Sequence, residues 1–168
     1  MSSLFAQGRI PQALYNQTII AANRYGVLVE ETDSYGSLLA GTAAAITLLP
    51  EKLPLSPQSG SRYRVRINAK HDIPTRFATL SHELAHVYCG HLGADAKGRW
   101  PDRSQLQHAE MELEAEAVAW LVCTRTGINT RSREYLGSLA TPENIQRVST
   151  YTVFDAANRV EARTVPPR

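Results

Sequence analysis

The pentapeptide His82-Glu83-Leu84-Ala85-His86 constrains the fold of this chain more than any other segment. Residues four positions apart lie on the same face of an α-helix, so two imidazoles with this spacing can hold one metal ion if the segment is helical. A catalytic zinc ion takes three protein ligands and keeps one position for water. The sequence therefore predicts a zinc (Zn2+) site with ligands His82 and His86, general base Glu83, and a third ligand from another element.

A second helical run, Glu112-Leu113-Glu114-Ala115-Glu116, offers that third ligand. On a helix, Glu112, Glu116 and two alanines share one face, and the first helix has a matching face of small residues around its histidines. Glu112 is the predicted third ligand, and Glu116 is predicted to accept a ring N–H from a ligating histidine. A Glu/Ala-rich run is also typical of a solvated helix, and Glu110 and Glu114 compete with Glu112, although Glu114 is predicted to face solvent.

The other histidines are predicted to lie outside the metal site. His91 follows His86 by five residues, and on a helix this spacing rotates it well away from the face of the two motif histidines. His71 and His108 occupy loop-like sequence and are predicted to be surface residues.

These segments together resemble the ImmA/IrrE metallo-endopeptidases, and the catalytic domain of ArdC-type antirestriction proteins is similar in the same places. The resemblance rests on residues 76–86, on Cys89-Gly90-His91-Leu92-Gly93 and on Glu112-x-x-Ala115-Glu116, and it is specific over about residues 61–140. Family members often have asparagine or aspartate where this chain has Glu116. The resemblance implies a zincin-like core with zinc ligands His82, His86 and Glu112 and the catalytic acid and base Glu83.

Composition agrees with one small enzyme domain. The chain has 168 residues, of which 43% are hydrophobic, and this length can bury one core. A net charge of +2 gives no electrostatic reason to expect direct nucleic-acid binding. A signal peptide and a membrane span are not expected, so the predicted location is cytoplasmic. Cys89 and Cys123 are predicted to be buried free thiols, with a helix-to-helix disulfide as the alternative.

The predicted fold is α+β, with a small antiparallel or mixed sheet packed on the two ligand-bearing helices. A single metallopeptidase-like domain is predicted over residues 1–168, divided into an N-terminal helix and strands (1–60), the metal-site core (61–140), a C-terminal helix (141–163) and a tail (164–168). The predicted helices are at 11–25, 74–90, 105–126, 132–139 and 141–163, the strands at 27–30, within 36–49 and at 62–68, and a surface loop at 50–60.

The strand at residues 62–68 alternates apolar residues with three arginines on its wet face. Either these arginines serve solubility and edge protection, or they have a binding role. An extended peptide could add to the edge of this strand, in a groove that the loops at 50–60 and 93–104 also border. Trp100 in the second loop either shapes this groove or caps the core. Tyr135 is the candidate hydrogen-bond donor to an oxyanion, with a packed core tyrosine as the alternative.

The function predicted from these residues is zinc-dependent hydrolysis of peptide bonds, and the family resemblance implies that the substrate is a specific protein partner. The resemblance implies a regulatory substrate such as a helix-turn-helix repressor. Two alternatives stay open: a non-proteolytic, metal-bearing interaction or antirestriction module, and the toxin of a toxin–antitoxin pair.

Overall fold

The structure, a computed structural model, describes residues 6–36, 39–46 and 62–162, and within these ranges it is of the α+β class, as predicted. None of the helices in these ranges combines the length and the apolar character that a bilayer crossing requires. The predicted loop 50–60 and tail 164–168 lie outside the described residues. The helices are α1 (Gln12–Arg24), α2 (Ile73–Tyr88), α3 (His108–Arg125), α4 (Ser132–Leu139), α5 (Pro142–Arg147) and α6 (Thr150–Glu161). The strands are β1 (Ala6–Gln7), β2 (Val27–Thr32), β3 (Gly41–Ala45), β4 (Tyr63–Asn68) and β5 (Asn129–Thr130).

The main sheet is mixed, with the strand order β2-β4-β3. Strand β4 runs parallel to β2 and antiparallel to β3, while the short strands β1 and β5 form a separate antiparallel pair. The predicted alternation in β4 is present, since Tyr63, Val65 and Ile67 are buried. On the other face, Arg64 and Arg66 pair with Glu30.

The prediction that the strand at 62–68 offers a free edge is wrong, because β4 is the central strand of this sheet. Alternation shows that one face of a strand is wet, but it does not show how many strands lie beside it. Edge protection therefore does not explain the arginines, and a peptide cannot add to β4. Strand β3 lies at an edge of the sheet and packs against α2.

Helix α2 is the central element of the fold. Asp72 caps its start by accepting the Thr75 N–H at 3.0 Å, and Pro74 occupies the first turn. The strands β3 and β4 and the helices α3 and α6 all pack against α2. Both faces of α2 are therefore buried, including the predicted core stripe Phe77, Leu80, Leu84 and Val87.

The single helix predicted over residues 141–163 is two helices, α5 and α6. Thr141 caps α5 as its sequence indicates, accepting the Asn144 N–H at 3.2 Å. At Val148 the backbone becomes extended, and the Ser149 hydroxyl accepts the Thr152 N–H at 3.2 Å. A serine that caps a new helix competes with continuation of the preceding one, which the apolar periodicity alone did not reveal.

The two cysteines, Cys89 and Cys123, are buried free thiols, as predicted. Burial raises the pKa of both, so the thiols stay protonated. They act as small core residues, one at the end of α2 and one within α3, rather than as a cross-link.

Candidate metal centre

Three side chains from α2 and α3 bring their donor atoms to one point. The Nε2 atoms of His82 and His86 lie 3.2 Å apart, and Glu112 oxygens lie 3.6 Å from the first and 3.2 Å from the second. A tetrahedral zinc ion with bonds of about 2.1 Å spaces its ligand atoms about 3.4 Å apart. The spacing of the two nitrogens and the Glu112 carboxylate, whose Oε2 faces His82 and whose Oε1 faces His86, therefore fits such an ion, and so does the chemistry of two imidazoles and one carboxylate.

Small residues allow α2 and α3 to approach closely enough for this convergence. Ala78 and Ala85 on α2 and Ala115 and Ala119 on α3 have no exposed surface. Because no bulky side chain separates the helix backbones at these positions, the Glu112 carboxylate reaches the histidines of the neighbouring helix. The structure thus brings together the three residues that the sequence analysis names as ligands.

Glu116 lies on the far side of the His82 ring. Its Oε2 atom is 3.1 Å from Nδ1 of His82, and both side chains are buried. A carboxylate at Nδ1 keeps the proton on that nitrogen and leaves the Nε2 lone pair directed at the cluster with Glu112. This is the contact that the sequence analysis expects of Glu116.

The carboxylates make the cluster attractive to a cation. Burial lowers the pKa of His82, but the hydrogen bonds with Glu112 and Glu116 raise it to about 10. Burial likewise raises the pKa of Glu112, yet His82 and His86 hold it far below its ordinary range. A buried imidazole among carboxylates favours a positive species, whether a proton or a metal ion.

Glu83 lies at the edge of this cluster, beneath strand β3. Burial raises its pKa, opposed by the neighbouring His82 and His86. A carboxyl group with a raised pKa can both accept and return a proton near neutral pH.

His91 lies beside His86, contrary to the prediction that it points well away. Helix α2 ends in a Schellman motif, in which Gly90 donates to the Val87 carbonyl and His91 to the His86 carbonyl, both at 3.0 Å. Gly90 has a φ of 78°, so the chain turns back instead of continuing the helix. The two Nδ1 atoms of His86 and His91 consequently lie 3.0 Å apart. The angle expected for His91 applies only if the helix continues through His91. Gly90 is the sequence signal that the helix stops before it.

Glu114 is fully buried, so the prediction that it faces solvent is wrong. Its two oxygens accept the Arg103 guanidinium at 2.5 and 2.6 Å, the His91 Nε2–H at 2.9 Å and the Ser149 backbone N–H at 2.8 Å. Burial raises the pKa of Glu114, but the bonds from His91 and Arg103 bring it below its ordinary value. The helical angle gave the direction of the Glu114 side chain correctly. The loop that carries Arg103 and the start of α6, however, cover that face of α3.

Cys89, His91 and Glu114 form a second group of close donor atoms. Both Glu114 oxygens are already bound to Arg103, and burial keeps the Cys89 thiol protonated. A metal ion requires a deprotonated thiol and an available carboxylate. In this arrangement His91 joins Glu114 to His86 by hydrogen bonds, and the Glu114 oxygens are occupied by protein donors.

Tyr135 is half-buried on α4, within electrostatic range of the carboxylates of Glu112 and Glu116. Burial raises the pKa of its phenol, and the charges of Glu112 and Glu116 raise it further. The phenol therefore keeps its proton and is able to donate a hydrogen bond.

Trp100 is only 2% exposed. Its ring packs against Tyr25, Tyr63 and Tyr88, with centroid distances of 6.4, 6.0 and 5.3 Å. This placement agrees with the core-capping alternative, and it leaves little of the indole available to border a substrate groove.

One protein-family model, described as the IrrE N-terminal-like domain and classed among peptidases, matches residues 22–141. No curated protein and no solved structure matches the chain. The matched range contains the three predicted ligands and the side chains described around them: His82, Glu83, His86, His91, Glu112, Glu114 and Glu116.

Proposed function

Because this chain belongs to the metallopeptidase family of IrrE N-terminal-like domains, we propose that it is a zinc-dependent endopeptidase of the HExxH type. One observation carries the proposal. The donor atoms of His82, His86 and Glu112 have the spacing of three ligands of a tetrahedral ion, and Glu83 lies beside them.

The proposed reaction is hydrolysis of a peptide bond, with Glu83 moving the proton. A zinc ion held by the three ligands would lower the pKa of a water molecule and polarise the scissile carbonyl. Glu83 accepts a proton from the water as the water oxygen bonds to the carbonyl carbon. It then donates this proton to the amine nitrogen as the C–N bond breaks, which leaves an amine and a carboxylic acid that loses its remaining proton to solvent at neutral pH. The raised pKa of Glu83 supports both steps.

Two further side chains assist in this scheme. Glu116 orients His82 through Nδ1 and makes that imidazole a better ligand. Tyr135 is assigned to the oxyanion that develops on the carbonyl, because its phenol lies near Glu112 and keeps its proton.

The extended substrate is proposed to pair with β3 rather than with β4. Among the described residues, β3 pairs with β4 alone, so its other edge has backbone groups that a peptide could use. Gly41, the first residue of β3, lies so near Glu83 that a Cβ added to it would be 3.3 Å from Cγ of Glu83. A peptide strand along β3 would therefore pass close to the general base.

Restricted access supports a dedicated protein substrate. Only 5% of the His82 side chain and 14% of the His86 and Glu112 side chains are exposed. A folded surface cannot reach donors at this depth, whereas an extended segment can. We therefore propose a regulatory protein with an accessible segment as the substrate, such as a helix-turn-helix repressor, in a reducing cytoplasm that suits the two free thiols.

The test replaces Glu83 by glutamine, which removes the proton acceptor and leaves the three ligands in place. The zinc-loaded Glu83→Gln variant should keep one zinc per chain and the wild-type melting temperature, and should cleave repressor substrates at least about 100-fold more slowly. Zinc is measured by elemental analysis and cleavage by mass spectrometry of the products. The control is Glu134→Gln, at an exposed position of α4. Cleavage by Glu83→Gln at the wild-type rate would refute the proposed mechanism, and rapid degradation of casein would refute the dedicated substrate.

A further inference from the structure

We propose that His91 is a positioning residue of the metal centre, which sets the orientation and the hydrogen-bond direction of the His86 ring. The inference rests on the proposed role of His86 as a metal ligand and adds a residue outside the ligand set. It begins with the buried chain of contacts from Arg103 through Glu114 and His91 to His86.

The direction of these hydrogen bonds is fixed at the Arg103 end. A guanidinium group only donates, and it engages both oxygens of Glu114. The Ser149 N–H is a further donor to the same carboxylate. Glu114 is therefore an acceptor in each of these contacts, and the His91 Nε2 atom, 2.9 Å away, must carry the proton of their shared hydrogen bond.

The direction of the bond between His91 and Glu114 also determines which of the two imidazole rings donates to the other. A neutral imidazole has one N–H donor and one acceptor nitrogen, so His91 with a proton on Nε2 accepts at Nδ1. The atom facing it at 3.0 Å is Nδ1 of His86, which must donate. The lone pair of His86 is thereby left on Nε2, the atom that lies 3.2 Å from Glu112 and 3.2 Å from His82. The chain thus selects the one tautomer of His86 that can bind a metal ion in this cluster.

The chain is anchored by the backbone at each step. The Schellman motif fixes His91 above His86, and the His91 and Glu114 side chains have no exposed surface. The Arg103 N–H donates to the Gly90 carbonyl at 2.9 Å. Gly90 also packs so tightly against the Pro101 carbonyl that no Cβ would fit there. The two histidine ligands are therefore supported differently: His82 by the single carboxylate of Glu116, and His86 by a chain that joins α2, α3 and the loop between them.

Three substitutions of His91 separate its two hydrogen bonds. In His91→Asn, the amide oxygen takes the place of Nδ1 and still accepts from His86, but the side chain no longer reaches Glu114. In His91→Gln, the amide N–H reaches Glu114, but no acceptor faces His86. In His91→Phe, the shape of the ring is kept and both bonds are lost.

Zinc affinity, measured by competition with a chromophoric chelator, gives the first readout. The Gln and Phe variants should bind zinc about 10- to 100-fold more weakly than wild type, the usual cost of removing a group that orients a ligand. The Asn variant should lie closest to wild type. The visible spectrum of the cobalt-loaded protein should shift in the same order. Equal zinc affinity in wild type and His91→Phe, or equal losses in the Asn and Phe variants, would overturn the proposal.

A purely structural role is distinguished by urea unfolding of the zinc-free proteins. If His91 is a positioning residue, the variants ranked by zinc affinity should fall in a different order from the variants ranked by zinc-free stability. The same order in both measurements would overturn the proposal. His108→Asn is the matched control, because His108 is exposed at the start of α3. Should the Phe variant fail to fold, the comparison of Asn with Gln decides, since both are polar amides of similar size.

Nitrogen-15 NMR of histidine-labelled, zinc-free wild type tests the hydrogen-bond direction without any variant. His91 should carry its proton on Nε2 and have a bare Nδ1. A proton on Nδ1 of His91 would overturn the proposal whatever the zinc data show. Failure of wild type to bind zinc would instead refute the proposed function, while the tautomer measurement would still decide the role of His91.

Discussion

Gly41 of β3 faces Glu83 of α2, and there is no room at Gly41 for a side chain. A Cβ atom added to Gly41 would lie 3.3 Å from Cγ of Glu83, 2.7 Å from a methyl group of Thr79 and 2.9 Å from the Arg66 carbonyl oxygen. The absence of a side chain at Gly41 is therefore what allows the edge strand β3 to lie on the helix that carries Glu83, the proposed general base.

Gly41→Ala should destabilise the protein by about 1–3 kcal/mol, because the methyl group would overpack this contact. The free energy of unfolding in urea measures the effect. Gly137→Ala is the control, since Gly137 lies within α4 and an added Cβ would meet open space. The control should be stabilised by about 0.5–1 kcal/mol, as expected for alanine in a helix. Unchanged stability of Gly41→Ala would mean that β3 and α2 are farther apart than described.

Glu112→Ala should lower zinc affinity more than the about 10- to 100-fold loss typical of a supporting residue, because it removes a ligand. Metal content after dialysis and chelator competition measure the loss. The exposed Glu134 provides the control substitution Glu134→Ala. Glu114 is unsuitable for this purpose, because its substitution would leave Arg103 without its buried partner. Equal zinc content in wild type and Glu112→Ala would place the third ligand elsewhere.

Glu116→Ala should weaken zinc binding by about 10- to 100-fold, less than the loss at Glu112, since Glu116 acts through His82. Glu116→Gln should be milder, because the amide oxygen still accepts from Nδ1 of His82. The same chelator competition ranks the variants. A larger loss for Glu116→Ala than for Glu112→Ala would exchange the roles of the two carboxylates.

Trp100→Ala should destabilise the protein by about 3–5 kcal/mol, because it empties a buried site among three tyrosine rings. Trp120→Ala is the matched control, because Trp120 is 39% exposed on α3, and its effect should be smaller. Urea unfolding measures both. A stable Trp100→Ala variant with impaired substrate cleavage would restore a groove role for this residue.

The stabilisation by Asp95 should depend on pH. Hydrogen bonds from Arg99 lower the pKa of Asp95 to about 2, below its value of about 3.9 in an unfolded chain. A carboxyl group with a lowered pKa in the folded state stabilises the fold fully above the unfolded value and loses this contribution as the pH falls towards 2. Asp95→Asn should therefore have a lower melting temperature than wild type at pH 7, and the difference should shrink below about pH 4. Asp33→Asn, at an exposed position, should show no such trend.

The elements that could be predicted from the sequence are those that local patterns determine. The helix of His82 and His86 has the periodicity and the start signals, Asp72 and Pro74, that its position requires, and the helix of Glu112 has the periodicity. The spacing of Glu112 and Glu116 then identifies the face of their helix that meets the histidines. Both helices carry small residues on the facing sides, which allows a close approach.

The elements that were predicted wrongly depend on what packs beside them. Alternation in β4 is the same for a central and an edge strand, so the neighbour β3 could not be inferred from it. The direction of Glu114 could be calculated, but the loop that brings Arg103 to it has no periodic signal. His91 differs, because the glycine before it marks a helix end from which its return to His86 could have been derived.

The hydrogen bond from the Ser149 N–H to Glu114 limits how far the protein can be truncated at its C-terminal end. The family match ends at residue 141, but Ser149 and α6 lie beyond it, with Ala156, Ala157 and Val160 buried in the core. A recombinant fragment cut at the end of the match would remove one donor from Glu114 and uncover apolar surface on α2 and α3. The smallest unit that can be expected to fold by itself therefore extends through Glu161, past the boundary that sequence similarity draws.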